Sequence, residues 1–308
     1  MLFILFFLSF VDGLFANNHV EKIRELFEQK FSTCSITIDK LGLGLTNQNF
    51  RVETNGQTYF VRMGTIHSSQ LCISRELEQQ FYKMEQELGL APALLYCEPD
   101  RGILVTPFIF HADNYGKMKG QWTGNPLDVI PRCIEAMKRI HSIQAPPSQE
   151  APHPFRVMNY YNQIACKLGI HFPKDVEDAL IIAKNLDISF GPRVLCHHDF
   201  FWGNLLFDGS KLWVIDWEYA DWDDPFFDLA GFCTEQNFDD AEQDMALQEY
   251  LPNYQMADKI KLNKMCMLYA LKWAMWSWIR MELEPEMRAD IEPLAKNYMA
   301  AFWRFASR

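Results

Sequence analysis

A chain of 308 residues, 49% of them hydrophobic, is long enough for one or two domains around a sizeable core. Its formal net charge of −11 is the wrong sign for a nucleic-acid binder, which needs clustered Lys and Arg, and it tolerates or attracts a cationic ligand. The cysteines at positions 34, 72, 97, 133, 166, 196, 233 and 266 never form a C-x-x-C pair. Their wide spacing argues against a zinc site or a disulfide framework. Most read as small buried residues in a reducing compartment.

The opening stretch MLFILFFLSFVDGLF is apolar but short, is interrupted by Asp12, and has no Lys or Arg before it. Residues 1–16 therefore read as an apolar leader, with export or a membrane anchor as the minority reading. Residues 19–31 have helical spacing, with Ile23, Phe27 and Phe31 on one face. Strand-like pieces follow: Ser35–Lys40, the turn LGLGLTNQN, Phe50–Thr54, an Asn55-Gly56 hairpin signal, and Tyr59–Met63. A helix is predicted from about Ser74 to Leu88, ended by Gly89. Leu94–Cys97 and Ile103–Phe108 read as a further strand pair.

After about His111 helical patterns dominate: Asn125–Ile143, Val157–Leu168, Val176–Asn185, Asp240–Tyr250, Lys259–Met281 and Ile291–Phe305. Two short strands, Arg193–Cys196 and Lys211–Ile215, interrupt them. The pattern predicts an α+β, two-lobed plan, a small antiparallel-sheet lobe over 17–110 and a mainly helical lobe over 111–308, with the ligand site in the crevice between them.

Residues 197–204, HHDFFWGN, form H-x-D-x-x-x-x-N, and beyond a turn at Asp208-Gly209 the strand LWVID ends at Asp216. Phosphoryl transfer needs a base for the attacking hydroxyl and ligands for the Mg²⁺ that neutralises the phosphates. A carboxylate and an Asn on one loop, with a second carboxylate at a nearby strand end, supply that set. Asp199 is expected to be the base, with Asn204 and Asp216 as metal ligands. His197 reads as a brace for the loop. A transition-metal cluster at His197 and His198 is not expected, because no fourth ligand stands at a recognisable spacing.

H-x-D-x-x-x-x-N followed by I-D-W-E-Y-A resembles the choline and ethanolamine kinase family, within the wider group of aminoglycoside-phosphotransferase-like kinases that share the protein-kinase fold. The resemblance runs from about Lys40 to the C-terminus. It implies an N-terminal lobe of antiparallel strands with one main helix, a mainly helical C-terminal lobe, ATP as phosphoryl donor and Mg²⁺ as the metal. The turn carrying Gly44, Thr46 and Asn47 then resembles the phosphate-covering loop. Arg62 stands where the wider group carries a phosphate-binding Lys. Glu78, with Glu76 close behind, is the expected ion-pair partner of Arg62. Val105–Ile109, including Thr106 and Phe108, becomes the adenine-binding hinge. Asp228 is expected to brace the catalytic loop.

Choline carries a quaternary ammonium, which proteins hold in aromatic boxes helped by a carboxylate. Trp273 and Trp276 share a helix face and resemble the family's W-x-x-W. Glu218, Tyr219, Glu235 and Tyr298 also resemble substrate-site positions, whereas Trp278 reads as packing. Met265–Met281 is apolar nearly all round, which fits a buried helix. It is short, and Lys272 and Arg280 interrupt it, so no stable membrane insertion is expected. The expected reaction is choline to phosphocholine in the cytoplasm. Ethanolamine, thiamine and aminoglycosides are the alternative substrates, and a non-catalytic kinase-like binding protein is the alternative of another class. The intact Asp199, Asn204 and Asp216 argue against the last. The sequence does not set the oligomeric state.

Overall fold

The computed structural model describes residues 12–33, 35–42, 45–147 and 151–308. Residues 1–11 of the expected leader and Gly44 of the expected phosphate-covering loop lie outside the described residues. The chain divides into two compact units, residues up to Ile66 with Pro92–Phe110, and His67–Ala91 with His111–Arg308.

The first unit opens with α1 (Asp12–Lys30), then β1 (Thr37–Leu41), β2 (Gln48–Thr54) and β3 (Gln57–Met63). After α2 (Arg75–Glu87), which belongs to the second unit, come β4 (Tyr96–Glu98) and β5 (Ile103–Pro107). The five strands form one antiparallel sheet in the order β1-β2-β3-β5-β4. Asn55 and Gly56 both take positive φ, 51° and 73°, and Thr54 lies opposite Gln57 across this turn, as an Asn-Gly hairpin requires. Alternate residues Phe50, Val52, Tyr59 and Val61 turn to one face, where Ile23, Leu26 and Phe27 of α1 cover them.

The expected 17–110 lobe includes residues 67–91, but the structure groups these with the second unit, for reasons visible in their contacts. Arg75 bonds Glu218 at 2.8 Å. The Phe81 ring meets Trp222 edge-on at 5.2 Å. The Leu71 carbonyl accepts from Tyr161 Oη at 3.1 Å, and that of Leu90 from the Val214 N–H at 3.0 Å.

The second unit continues with three two-residue strands, β6 (Asp113–Asn114), β7 (Lys117–Met118) and β8 (Gln121–Trp122). The helices α3 (Pro126–Ile140), α4 (His153–Leu168) and α5 (Lys174–Lys184) follow. Then come β9 (Val194–Cys196), β10 (Leu205–Phe207), β11 (Leu212–Val214), β12 (Asp221–Asp223) and α6 (Phe226–Glu235). The chain ends with α7 (Asp240–Tyr250), α8 (Met256–Leu283) and α9 (Arg288–Ala306). The long α8 is the unit's core. Its stretch Met265–Ser277 is buried all round, and it packs against α4, α5, α6 and α9. Among the described residues no helix is long and apolar enough to cross a membrane.

The helix α6 was not expected from sequence. Phe226–Thr234 is buried on every side, so FFDLAGFCTE carries no amphipathic stripe to betray a helix.

Candidate active site

Two short antiparallel pairings position the H-x-D-x-x-x-x-N segment. Upstream, β9 pairs with β12, with Cys196 opposite Asp221. Downstream, β10 pairs with β11, and the ladder extends one step as the Ile215 N–H donates to the Asn204 carbonyl at 3.0 Å. That last bond sets Asn204 beside the end of LWVID, where Asp216 follows. Asp216 and His198 both hold a left-handed backbone, each at φ 64°. Non-glycine residues in that region are uncommon and cluster where a loop must aim side chains.

Three residues hold the loop from behind. The buried Asp228, on the first turn of α6, accepts the backbone N–H of His197 through Oδ2 and that of His198 through Oδ1, both at 2.7 Å. His141 Nε2 lies 3.1 Å from the same Oδ2, and its Nδ1 lies 2.8 Å from Tyr250 Oη. Burial alone would raise the Asp228 carboxyl, but the hydrogen bond with His141 and the backbone N–H of His197 hold it below its ordinary value. His197 is fully buried, and burial lowers its pKa to about 4. As a neutral ring it has one tautomer that fits: Nε2–H donates to the Ile215 carbonyl at 3.0 Å, and Nδ1 accepts the Asp199 N–H at 3.2 Å. His197 thus ties the Asp199 loop to the strand that leads to Asp216.

Asn204 Nδ2 donates to both the carbonyl and Oδ2 of Asp199, each at 2.9 Å. The amide nitrogen is committed, so the side chain offers its oxygen as a donor atom. That oxygen and the Asp216 carboxylate make a hard, oxygen-only set of the kind Mg²⁺ takes. Burial pushes the Asp199 carboxyl well above its ordinary range, and the Glu235 and Asp216 carboxylates add to the rise, while Lys272 and the Asn204 bond oppose it.

An aromatic cluster adjoins this loop. Tyr219 meets Trp273 edge-on at 5.0 Å, Trp273 meets Trp276 at 5.5 Å, and Tyr298 stacks on Trp273 at 6.3 Å. Trp276 Nε1 donates to Tyr219 Oη at 2.7 Å, and Tyr298 Oη donates to Glu235 at 2.7 Å. Glu235 ends α6, about two turns beyond Asp228 on the same face.

A model of the phosphotransferase enzyme family matches residues 37–260. The chain belongs to this family. The phosphotransferase is a small-molecule kinase, and it is similar to protein LicA of Haemophilus influenzae, with 22% identity over 263 residues, 80% of this chain and 74% of that protein. Among solved structures it resembles the choline kinase LicA from Streptococcus pneumoniae, with TM-score 0.73 and 23% identity over 94% of this chain and 100% of that one. It also resembles the Plasmodium vivax ethanolamine kinase, with TM-score 0.73 and 14% identity over 93% of this chain and 87% of that one. The fold is kinase-like: an antiparallel sheet at the N-terminus and a mainly helical remainder.

The residues expected to meet ATP lie mostly in the first unit of the phosphotransferase. Asn47 is buried just before β2 and Thr46 is half-buried. Arg62 is buried in β3 opposite Leu104, and Thr106 is buried in β5 opposite Phe60. The half-buried Phe108 follows β5, its N–H donating to the Thr58 carbonyl at 3.0 Å.

Glu78 and Glu218 are both buried, and Arg75 bonds Glu78 at 3.0 Å and Glu218 at 2.8 Å. This ion-pair triad ties α2 to the segment after Asp216. Glu235 is the carboxylate within the aromatic cluster. Sequence reasoning missed Arg75 as this link, and it missed Lys272, reading it only as an interruption of an apolar helix. Lys272 is buried, with Nζ 4.3 Å from the Trp273 ring centroid, 5.0 Å from that of Tyr219 and 3.5 Å from the His198 carbonyl. Burial lowers its pKa to about 8, against the raising pull of Asp199. The signal was available, because a Lys inside a helix buried all round must be held by partners.

Proposed function

We propose that the enzyme transfers the terminal phosphoryl group of ATP to the hydroxyl of a small amino alcohol, choline by preference, in the cytoplasm where ATP is supplied. The observation that carries this reading is the joining of two structures in one unit. The Asp199–Asn204 loop stands beside a cluster of Tyr219, Trp273, Trp276 and Tyr298 that includes the Glu235 carboxylate. An amino alcohol has a cationic head for the rings and carboxylate, and a hydroxyl about two carbons away for the base.

In this reading Asp199 orients the substrate hydroxyl and takes its proton as the phosphoryl group arrives. His197, Asp228 and the Asn204 amide hold Asp199 in place, so that little rearrangement accompanies the reaction. Asn204 and Asp216 would hold Mg²⁺, which supplies charge neutralisation at the phosphates. Arg62, Asn47 and Thr46 would meet phosphate oxygens, and Thr106 and Phe108 would line the adenine site. Arg keeps its charge when buried and presents a forked donor to phosphate.

Ring faces in the cluster already meet one cation, the Lys272 ammonium. This supports cation binding by the rings. It also favours ethanolamine as the second reading, because Glu235 accepts hydrogen bonds from a primary ammonium. The similarities to a choline kinase and an ethanolamine kinase support the same pair.

The test is initial-rate kinetics with ATP and Mg²⁺ on choline, ethanolamine, thiamine and an aminoglycoside. The expected outcome is the highest kcat/KM on choline, with ethanolamine next. Preference for thiamine or the aminoglycoside, or turnover on none, overturns the proposal.

A further inference from the structure

Beside the catalytic loop lies a second cluster that the phosphoryl-transfer reading does not use. His198, His153 and Asp223 are all buried, at 0%, 6% and 1% exposure. They come from three elements: the loop itself, the first turn of α4, and β12. Their donor atoms lie within 4.8 Å of one another. Asp223 Oδ2 is 3.7 Å from His153 Nδ1 and 3.7 Å from His198 Nε2, and the two imidazole centroids are 3.8 Å apart.

Among the described residues none of the facing atoms has a hydrogen-bond partner. His153 Nδ1, His198 Nε2 and Asp223 Oδ2 are all buried and unsatisfied, as is His198 Nδ1. Asp223 Oδ1, by contrast, accepts the Asp224 N–H at 2.7 Å, so the carboxylate is anchored by one oxygen and presents the other to the imidazoles. Leaving such buried groups unpaired is costly, so their convergence on one point calls for a ligand there.

The spacing distinguishes the ligand. A direct N–H···O bond needs about 2.9 Å, and 3.7 Å is too long for one. A water bridging at about 2.8 Å to each side would subtend only about 80°, well under the tetrahedral angle. A tetrahedral metal with bonds of about 2.0–2.2 Å holds its ligand atoms about 3.4 Å apart, near the 3.7 Å seen here, and its two imidazoles would turn outward from their 3.8 Å centroid spacing to about 5 Å so that each nitrogen faces the ion. We infer that His153, His198 and Asp223 bind one divalent transition-metal ion, with zinc the best match to two imidazoles and a carboxylate.

The surroundings fit the inference. His153 Nε2 lies 3.6 Å from Asp221 Oδ2, a carboxylate that would have to close on the ring to become the outer partner of a ligating histidine. The cations facing the cluster are Lys272, Arg156 and Arg193, and Arg156 is paired with Asp221 at 3.0 Å. Burial pushes the Asp223 carboxyl well above its ordinary value, and the charges of Asp224, Asp221 and Asp228 add to the rise, so an ion binding here would displace the Asp223 proton. Burial holds both histidines neutral, the state in which imidazole ligates. The neighbouring group of His141, Cys196 and Asp228 differs, because both His141 nitrogens and both Asp228 oxygens already have partners. An ion at His198 would fasten the residue next to Asp199 to α4 and β12, a structural brace distinct from the oxygen-donor pair Asn204 and Asp216.

The test is made on the full chain in saturating Mg²⁺, which occupies the oxygen-donor site. Chelated and dialysed protein is reloaded with Zn²⁺, and bound zinc is counted by elemental analysis. Co²⁺ is then substituted, and its visible d–d bands report a low-coordinate site with nitrogen donors. The expected result is one retained zinc per chain, a Tm that rises with Zn²⁺ concentration, and loss of both the retained zinc and the Co²⁺ bands in His153→Gln and Asp223→Asn. Wild-type protein that retains no zinc overturns the inference without reference to any variant. A Co²⁺ spectrum unchanged in His153→Gln assigns the ion elsewhere and overturns it equally. Neither result bears on which alcohol is phosphorylated.

Discussion

Glu85 makes the stability of this protein depend on pH in an unusual direction. The residue lies on α2 with no exposed surface, and among the described residues neither carboxylate oxygen has a hydrogen-bond partner. Burial, and then the Asp228 charge, push its pKa from 4.5 to about 8, with Arg139 opposing. Between those values the native state keeps a proton that the unfolded chain has released. Where the native state binds more protons, stability falls as pH rises. The decline begins near the unfolded pKa of about 4.3 and ends above the folded one. At about 1.36 kcal/mol per pH unit, the rise from 4.5 to about 8 corresponds to about 5 kcal/mol in total, and to about 3 kcal/mol by neutral pH. Those are large fractions of a typical 5–15 kcal/mol stability.

Glu85→Gln keeps the shape of the protonated side chain and removes the titration. Urea unfolding of wild type and variant is measured from about pH 5 to about pH 9, a span chosen to bracket the decline. The two proteins should be nearly equally stable at the acid end. The variant should gain steadily on the wild type, to an advantage of several kcal/mol at the alkaline end, on the order of the total above. Parallel stability curves would show that Glu85 ionises without cost in the folded state, and the reasoning from its burial would fail.

Four further outcomes follow from the site. Asp199→Asn should lower kcat by on the order of 100-fold or more while nucleotide affinity survives, and near-normal turnover would remove Asp199 from the mechanism. Trp276→Ala removes the donor to Tyr219 Oη and one wall of the cluster. It should raise the choline KM roughly ten- to thirty-fold, with a smaller effect on ethanolamine, whereas a lower Tm with an unchanged ratio of the two efficiencies would make it a core residue. Asp228→Asn loses one of two backbone N–H acceptors and should cost about 1.5–3 kcal/mol in unfolding experiments, with kcat reduced more than the KM values. Lys272→Met clears a cation from the Trp273 and Tyr219 rings and should shift the kcat/KM ratio toward choline, and a ratio unmoved by the change would separate Lys272 from substrate choice.

How much of this was legible in the sequence follows from the range of each interaction. The sheet of the first unit was readable because its signals are local. Alternating apolar residues in β2 and β3 and the Asn55-Gly56 turn specify a hairpin without reference to the rest of the chain. The loop from His197 to Asn204 and the strand ending at Asp216 were likewise readable, since a short hairpin brings their ends together. Features that depend on distant partners were not. The placement of α2 with the second unit rests on Arg75 reaching Glu218 and Phe81 reaching Trp222, which no local pattern announces. His198 was weighed as a ligand only with its neighbour His197, whereas its spatial partners are His153 and Asp223.

Lys272 shows how such distant contacts bear on substrate choice. On sequence it was a blemish in an apolar helix. In the fold its ammonium faces two rings of the cluster that would receive an amine, and its charge also bears on Asp199. A ring face is attracted to a cation through its fixed quadrupole, and the same face is not available twice. The Lys272 ammonium would therefore restrict a quaternary head, in the proposed reading, to the remaining faces of Trp273, Trp276, Tyr219 and Tyr298, next to Glu235. Its charge also repels a second cation brought near it, and that repulsion is strongest where water is excluded. A trimethylammonium group has only ring faces and net charge with which to offset this. A primary ammonium has the Glu235 carboxylate as a direct hydrogen-bond acceptor as well. In the proposed reading, the preference between choline and ethanolamine would be set by a balance between aromatic area and one buried lysine, and it is at Lys272 that this balance would differ most from what the W-x-x-W pattern alone implies.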